Sequence, residues 1–353
     1  MKVLGIESSC DECAAAVVEN GERILSNVVA TQIPIHAAYN GVVPEIASRK
    51  HTEWINQVVQ EALDSASISV AGVDAVAATA QPGLLGSLLV GLSFAKAFAW
   101  ARGIPFVAVD HMLAHLYAPR LCVQEAPAYP FLGLLVSGGH SIICRADNFD
   151  DITVLGATID DAVGEAFDKV SKHYGFGYPG GAVIDKLAKS GDDGAFNFPM
   201  PSLHKGDHRY DLSYSGLKTA VVNQLEKFRV HKTDGGNSGD SKALDPAAYK
   251  PEDIAASFQK TAVGILLRSL FRAVEDTGLK TIVVGGGVAA NSYLRASLAK
   301  RQDLNCIFPP LELCGDNGAM VAGLAYQYLV RGEKSSLKAT ASARVKSFKK
   351  PYP

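Results

Sequence analysis

The feature that most constrains the fold is a plan that occurs twice. "KVLGIESS" (2–9), "AAAVVEN" (14–20) and "GERILSNVVAT" (21–31) read as an apolar strand, a turn of small and acidic residues, and two further strands. "FLGLLVSGGHSIICRADNFDDITVLGAT" (131–158) repeats that order with little shared identity. The shared plan predicts a duplicated unit in which a β-hairpin tip faces a ligand.

Helical and α/β material follows each unit. In "EIASRKHTEWINQVVQEALDSA" (45–66), Ile46, Trp54, Ile55, Val58, Val59 and Leu63 form an apolar helix face. "VDAVAATA" (73–80) reads as a buried strand. After Pro82-Gly83 comes a helix rich in small residues, "GLLGSLLVGLSFAKAFAWARG" (83–103), fit for the core or for a partner interface. "PFVAVD" (105–110) is another strand. "EDIAASFQKTAVGILLRSLFRAVEDTG" (252–278) is a long amphipathic helix, and "KTIVVGGGVAANSYLRASLAK" (280–300) a strand, glycine turn and helix. The polar, Gly/Ser-containing stretch 231–251 reads as a mobile surface insertion.

Charge narrows the partners. With 34 basic and 36 acidic side chains, any nucleic-acid contact needs a local patch. Residues 331–353 hold seven Lys or Arg against Glu333 alone, which suits such a patch or a solvated, frayed end. Glu7 interrupts the first apolar run, which argues against a secretory leader, and the longest uncharged apolar stretch (83–95) ends at Lys96, too short to span a bilayer. No membrane contact is expected. The six cysteines are too sparse for a disulfide scaffold and point to reduced thiols in the cytoplasm. The lone C-x-x-C of Cys10 and Cys13 favours buried or turn thiols over zinc ligation.

Three turns at strand ends offer backbone N–H groups to a phosphate: "ESSCDE" (7–12), "LVSGGH" (135–140) and "VVGGGVAAN" (283–291). Gly285, Gly287 and Ala290 match a dinucleotide spacing, but the next strand, "NCIFPP", ends in prolines where an acidic ribose ligand belongs. An ATP-type nucleotide between two duplicated lobes suits the three turns better than NAD. "IDDAVGEAFDKV" (159–170) reads as a helix with Asp161, Glu165 and Asp168 on one stripe. In "YGFGYPGGAVIDKLA" (174–188), Gly180-Gly181 precedes a helix bearing Asp185, a geometry for close approach to a ribose or for a simple helix start.

"VDHMLAHLYAP" (109–119) places His111 and His115 four apart, on one helix face, where two imidazoles suit one metal. The zincin signature H-E-x-x-H needs a Glu base, and this chain has Met112 there. Asp316, in "ELCGDNGAMVAG" (312–323), is a candidate third ligand or a helix cap.

"GIESSCDE", "VVPEIASRKH", "PGLLGSLLVG", "DHMLAHLYA", "LVSGGH", "DDAVGEAFDKV", "YPGG", "SYSGLKTA", "GGGVAANSYLR" and "CGDNGAM" follow one another in an order that resembles the TsaD family, over nearly all of residues 1–330. This is the bacterial branch of the universal tRNA threonylcarbamoyladenosine transferases. The resemblance implies the α/β ASKHA (actin-like ATPase) fold with two duplicated lobes around a central nucleotide cleft. One lobe would span 1–117, with 317–353 packing back on it; the other would span 118–316, with the 231–251 insertion. It implies transfer of a threonylcarbamoyl group from threonylcarbamoyl-AMP to the exocyclic amine of the adenosine 3′ of the anticodon, in tRNAs reading codons that begin with A. ATP or ADP would fit the same site.

By motif, His111, His115 and Asp316 match the family's ligands for one divalent metal, Fe2+ first and Zn2+ second. Leu135, Val136, Ser137, Gly138 and Gly139 match its phosphate-side loop. Asp168, Gly181, Asp185 and Asn291 match positions that hold ribose and base. Asp11 or Glu12 is expected to assist proton removal from the attacking amine or to position substrate. The partners implied are tRNA, TsaB-like and TsaE-like proteins, and a TsaC-like synthase that supplies the adenylate. Cys13 stands where the family usually has Thr, and Gln81 where it usually has Gly. The competing readings are a non-catalytic nucleotide-binding ASKHA scaffold, a kinase of the same fold, and a metallopeptidase, the last disfavoured by Met112.

Overall fold

A computed structural model describes the chain apart from residues 123–125, 202, 204–207, 232–241, 245–248 and 345–353. It opens with an antiparallel meander of β1 (Lys2–Glu7), β2 (Glu12–Glu19) and β3 (Arg23–Thr31). The helices α1 (Ile33–Ala37) and α2 (Pro44–Ser65) lead to β4 (Ala75–Gln81). Then α3 (Leu85–Arg102), β5 (Phe106–Asp110) and the short α4 (His111–Tyr117) follow. β4 lies parallel to β1 and β5 parallel to β4, giving the order β3-β2-β1-β4-β5.

The second half rebuilds the same sheet. β6 (Phe131–Val136), β7 (Ser141–Ala146) and β8 (Ile152–Ala157) form a second meander. After α5 (Val163–Tyr174), α6 (Gly180–Ala188) and α7 (Ser215–Lys227), β9 (Arg229–His231) and β10 (Lys242–Leu244) pair as a small ribbon. The long α8 (Pro251–Thr277), β11 (Thr281–Gly285), α9 (Ser292–Ala299), β12 (Asn305–Ile307) and α10 (Gly318–Val330) complete the fold. β11 joins β6 in parallel and β12 joins β11, so β8-β7-β6-β11-β12 matches the first sheet strand for strand. The expected duplication is thus one of topology. The 231–251 stretch expected as an insertion includes half of this ribbon, and its residues 232–241 and 245–248 lie outside the described residues.

Alternation along the strands divides three cores. Leu4, Ile6, Val76 and Ala78 face Ile55, Val59, Leu63 and Leu92 of α2 and α3. On the opposite face, Val3, Ala77 and Val107 pack with Met112 and Leu113 of α4, Met320 and Leu324 of α10, and Leu135, Ile142 and Val283 of the second sheet. The outer face of that sheet meets Phe167, Leu217, Phe258 and Leu266 of α5, α7 and α8. α4 and α10 therefore lie in the core shared by the two sheets. Gly5 permits the closeness of α10: a Cβ there would stand 2.3 Å from the Gly318 carbonyl oxygen.

Two expectations need correction. Residues 159–162 are not helical, and α5 begins at Val163. Asp160 is instead drawn away to the Tyr214 amide and the Ser213 and Ser215 hydroxyls, while Asp161 pairs with Lys169 and Lys218. The basic tail is not frayed from residue 335 to 342. The Ser335 amide donates to the Phe106 carbonyl (2.7 Å), the Ala108 amide to Ser335 Oγ (2.9 Å) and the Ser342 amide to the Ala80 carbonyl (2.9 Å). Residues 345–353 lie outside the described residues.

Candidate metal centre and nucleotide cleft

The centre is built from the N-terminus of α4. Asp110 caps that helix, its Oδ1 accepting the Met112 and Leu113 amides at 2.9 and 3.2 Å. Gln81, one of the departures from the family pattern, donates from Nε2 to Asp110 Oδ2 at 3.1 Å. With the helix start fixed, His111 and His115 share a face, their ring centroids 4.5 Å apart.

Asp316 is not the cap of α10. Asn317 takes that role, its Oδ1 accepting the Met320 amide at 3.0 Å. The Asp316 carboxylate faces the histidines instead, with Oδ1 3.1 Å from His115 Nε2 and 3.5 Å from His111 Nε2. One donor atom from each of the three residues lies within 4.8 Å of the others. Two imidazole nitrogens and a carboxylate oxygen form a ligand set that fits a divalent cation and leaves positions open.

The residue behind His111 carries no local signal in the sequence. Glu7, fully buried at the end of β1, accepts His111 Nδ1–H at Oε2 (3.0 Å) and Thr79 Oγ1–H at the same oxygen (2.6 Å). Its Oε1 accepts the Ser9 amide at 2.6 Å. A carboxylate on Nδ1 turns the Nε2 lone pair of a neutral His111 toward the cluster.

Burial opposes charge throughout this site, and neighbouring charges decide the outcome. Burial works to raise Glu7, but the charge and hydrogen bond of His111 hold it below the ordinary carboxylate range. Burial works to lower His111, yet Asp316 and Glu7 lift it to about 9. Asp316 is raised by burial and brought down by both histidines to about 2. His115 is lowered by burial and by His111. His140 is lowered to about 4 by burial, His111 and His115. A proton on His111 and a cation in the cluster meet the same need, a positive charge between Glu7 and Asp316.

Beside Asp316, Cys314 and Gly315 open into a cavity of about 690 Å3. Gly138, Asp168, Gly181, Asp185 and Asn291, all singled out from the sequence, line it. Phe167, Ala182, Val288 and Ala290 give it an apolar wall. Asp168 Oδ1 accepts the Gly180 amide at 2.7 Å, and burial raises its carboxyl. Asp185 Oδ1 accepts the Ser292 amide and hydroxyl at 3.0 and 2.8 Å, joining α6 to the start of α9. Asn291 caps α9 and donates from Nδ2 to Gln259 Oε1 at 2.8 Å.

Not every expected residue lines the cavity. Leu135 and Val136 are fully buried in β6, where both pair with β7, and expose no surface to a ligand. Ser137 Oγ accepts the His140 amide (3.1 Å), and Gly139 is not part of the lining. Lys186 on α6 and Lys189 just past its end do line it and were missed; they stand one and four residues after Asp185, spacing that a solvated helix face would also show. Gly286 makes the third turn possible: its φ is +93°, and a Cβ there would lie 2.4 Å from the Val136 carbonyl oxygen.

In the first loop, burial together with Asp316 and Asp11 pushes Glu12 up to about 10. Cys13 lies on β2 facing the α2/α3 core, and burial with Glu7 pushes its thiol up to about 12.

Two sheets of one repeated topology, with a cleft between glycine turns and a His-His-Asp cluster near it, define an ASKHA-type (actin-like ATPase) fold. The fold is shared with T. kodakarensis HypF (TM-score 0.58, 15% identity, 94% of this chain and 48% of that one). It is also shared with component A of the Acidaminococcus fermentans (R)-2-hydroxyglutaryl-CoA dehydratase (TM-score 0.53, 13% identity, 94% and 99%). The chain belongs to the TsaD family: the profile described as tRNA N6-adenosine threonylcarbamoyltransferase matches residues 23–323. The protein of that name from Treponema denticola is 63% identical over 350 residues, covering 99% of each chain. That from Borreliella burgdorferi strain ZS7 is 48% identical over 352 residues, covering 100% of this chain and 96% of its own. Among the described residues, no helix is long and apolar enough to cross a membrane.

Proposed function

We propose that this protein transfers the threonylcarbamoyl group of threonylcarbamoyl-AMP to the exocyclic amine of the adenosine 3′ of the anticodon, in tRNAs reading codons that begin with A. The observation that carries the reading is that Cys314 and Gly315, next in the chain to Asp316 of the His111–His115–Asp316 cluster, line the same cavity as Asp168, Gly181, Asp185 and Asn291. Family membership over nearly the whole chain supports it.

In this reading the adenine rests on Ala182, Val288 and Ala290, and Asp168 and Asp185 take the ribose hydroxyls. In the loop 135–139, the exposed Gly138 and Gly139 offer backbone N–H groups to the phosphate. His111, His115 and Asp316 would hold a divalent cation, Fe2+ before Zn2+, which when bound would supply Lewis-acid polarisation of the carbamoyl group. The amine nitrogen bonds to the carbamoyl carbon, the bond from that carbon to the phosphate oxygen breaks, and AMP leaves. The amine proton passes to Asp11. Glu12, which carries its own proton at neutral pH, serves as a hydrogen-bond donor. A TsaC-like synthase supplies the adenylate, and TsaB-like and TsaE-like partners assist, in the cytoplasm. A zincin-type peptidase reading lacks its motif base, because Met112 stands at that position and is buried in the core.

Reconstitution tests the proposal. The protein is combined with its partners, threonine, bicarbonate, ATP and unmodified tRNA, and nucleosides are analysed by mass spectrometry. Threonylcarbamoyladenosine is the expected product; its absence where a homologue succeeds overturns the reading.

A further inference from the structure

Three successive carbonyls of the loop between β1 and β2 are held from outside it. The Leu84 amide donates to the Ser9 carbonyl at 2.7 Å and the Gln32 amide to the Asp11 carbonyl at 3.0 Å. Between them, His51 Nε2 lies 2.9 Å from the Cys10 carbonyl oxygen. Two of these three clamps are backbone groups, so His51 is the one that a side chain supplies.

His51 sits inside α2 with no exposed surface. Its Nδ1 is buried and has no hydrogen-bond partner among the described residues. A buried, unpaired ring nitrogen costs stability that an apolar side chain of similar volume would not incur. What the imidazole adds is the N–H toward Cys10. A carbonyl can only accept, so Nε2 carries the hydrogen, and burial keeps the ring neutral by lowering its proton affinity.

We propose that His51 is a positioning residue for transfer: its Nε2–H fixes the peptide between Cys10 and Asp11 and thereby aligns Asp11 and Glu12 with the cleft. The inference rests on the roles given to those two acids above. Nothing in it requires His51 to touch substrate.

The test compares His51→Leu with His51→Gln, whose Nε2 can reach the same carbonyl. Transfer kinetics are measured in the reconstituted system, and hydrogen–deuterium exchange is measured on the peptide covering residues 8–12. His51→Leu is expected to lower kcat at least tenfold with KM for the adenylate within twofold, and to speed exchange in the loop. His51→Gln is expected to bring both back to within threefold of wild type. Should the Leu variant not fold, His51→Asn, too short to reach the carbonyl, takes its place. Wild-type kcat in the Leu or Asn variant, or a Gln variant that behaves like it, overturns the proposal. Absence of transfer by the wild type would fall on the proposed function instead. The exchange arm still decides the clamp in that case, and unchanged loop exchange in the Leu or Asn variant refutes it.

Discussion

Glu7 and His111, 104 residues apart, meet at 3.0 Å in the core, so the candidate metal centre rests on a carboxylate that is not one of its ligands. The pair sets the imidazole tautomer and adds negative charge behind the ring. Glu7→Gln keeps an acceptor for Nδ1–H and loses the charge. It is expected to weaken binding of a divalent cation by about 10- to 100-fold, read as metal retained after dialysis against graded chelator. His111→Ala and Asp316→Ala are expected to abolish retention. Unaltered retention in Glu7→Gln would show that the pair serves folding alone.

Glu12 predicts a pH dependence with a definite sign. Folded, it holds its proton to about 10; unfolded, it returns toward the ordinary value of 4.5. The folded state therefore binds more protons between these values, and stability falls as pH rises. The contribution is fully present below about 4.5 and is lost as pH climbs through the folded value near 10. Glu12→Gln removes the dependence. The variant should match wild type in unfolding free energy near pH 4.5 and exceed it by about 1–3 kcal/mol at pH 7, read by denaturant unfolding at each pH. Asp11→Asn should lose more transfer activity than Glu12→Gln, since a protonated Glu12 has no capacity to accept the amine proton. Equal and full activity in both variants would remove the acids from the mechanism.

Gly286→Ala tests the third turn. A side chain at φ +93° is strained, and its Cβ would stand 2.4 Å from the Val136 carbonyl oxygen. Together these cost roughly 2–5 kcal/mol. Because Gly287 and Val288 line the cavity, the shift also reaches the proposed nucleotide site. A lowered Tm and weaker nucleotide binding are expected together. Loss of binding at unchanged Tm would mean that the turn gives way without cost.

Legibility in the sequence followed the range of each interaction. The repeated meander was readable because strand alternation and small-residue turns are local patterns, and His111 with His115 because four residues make one helix turn. Glu7 was readable only as an interruption of an apolar run, since nothing near it in sequence reveals a histidine at the end of β5. Asp316 could be read equally as a cap; Asn317 taking the α10 cap decides between the readings, and that is a matter of one residue of register. The early helix start at 159 failed for the same reason: Asp160 finds its partners at 213–215, more than 50 residues away.

The tail gives the last prediction. Its seven cations suit a basic patch or a solvated end, while the family resemblance implies a segment packing back on the first lobe; residues 335–342 run along the first sheet and over α3. The Ser335 amide reaches the Phe106 carbonyl, the Ala108 amide reaches Ser335 Oγ, Lys96 Nζ donates to the Ala339 carbonyl at 2.9 Å, and the Ser342 amide reaches the Ala80 carbonyl. Ala339 and Ala341 pack against the core of α2 and α3. Backbone pairing of this kind is indifferent to side-chain charge, which is why composition did not reveal it. Truncation after Lys334 is expected to destabilise the fold by about 2–4 kcal/mol, at roughly 1 kcal/mol for each lost bond, measured by denaturant unfolding. If the tail also contacts tRNA phosphates, the salt slope of tRNA binding should fall with it. An unchanged unfolding midpoint in the truncated chain would show that these bonds exchange for water without net cost.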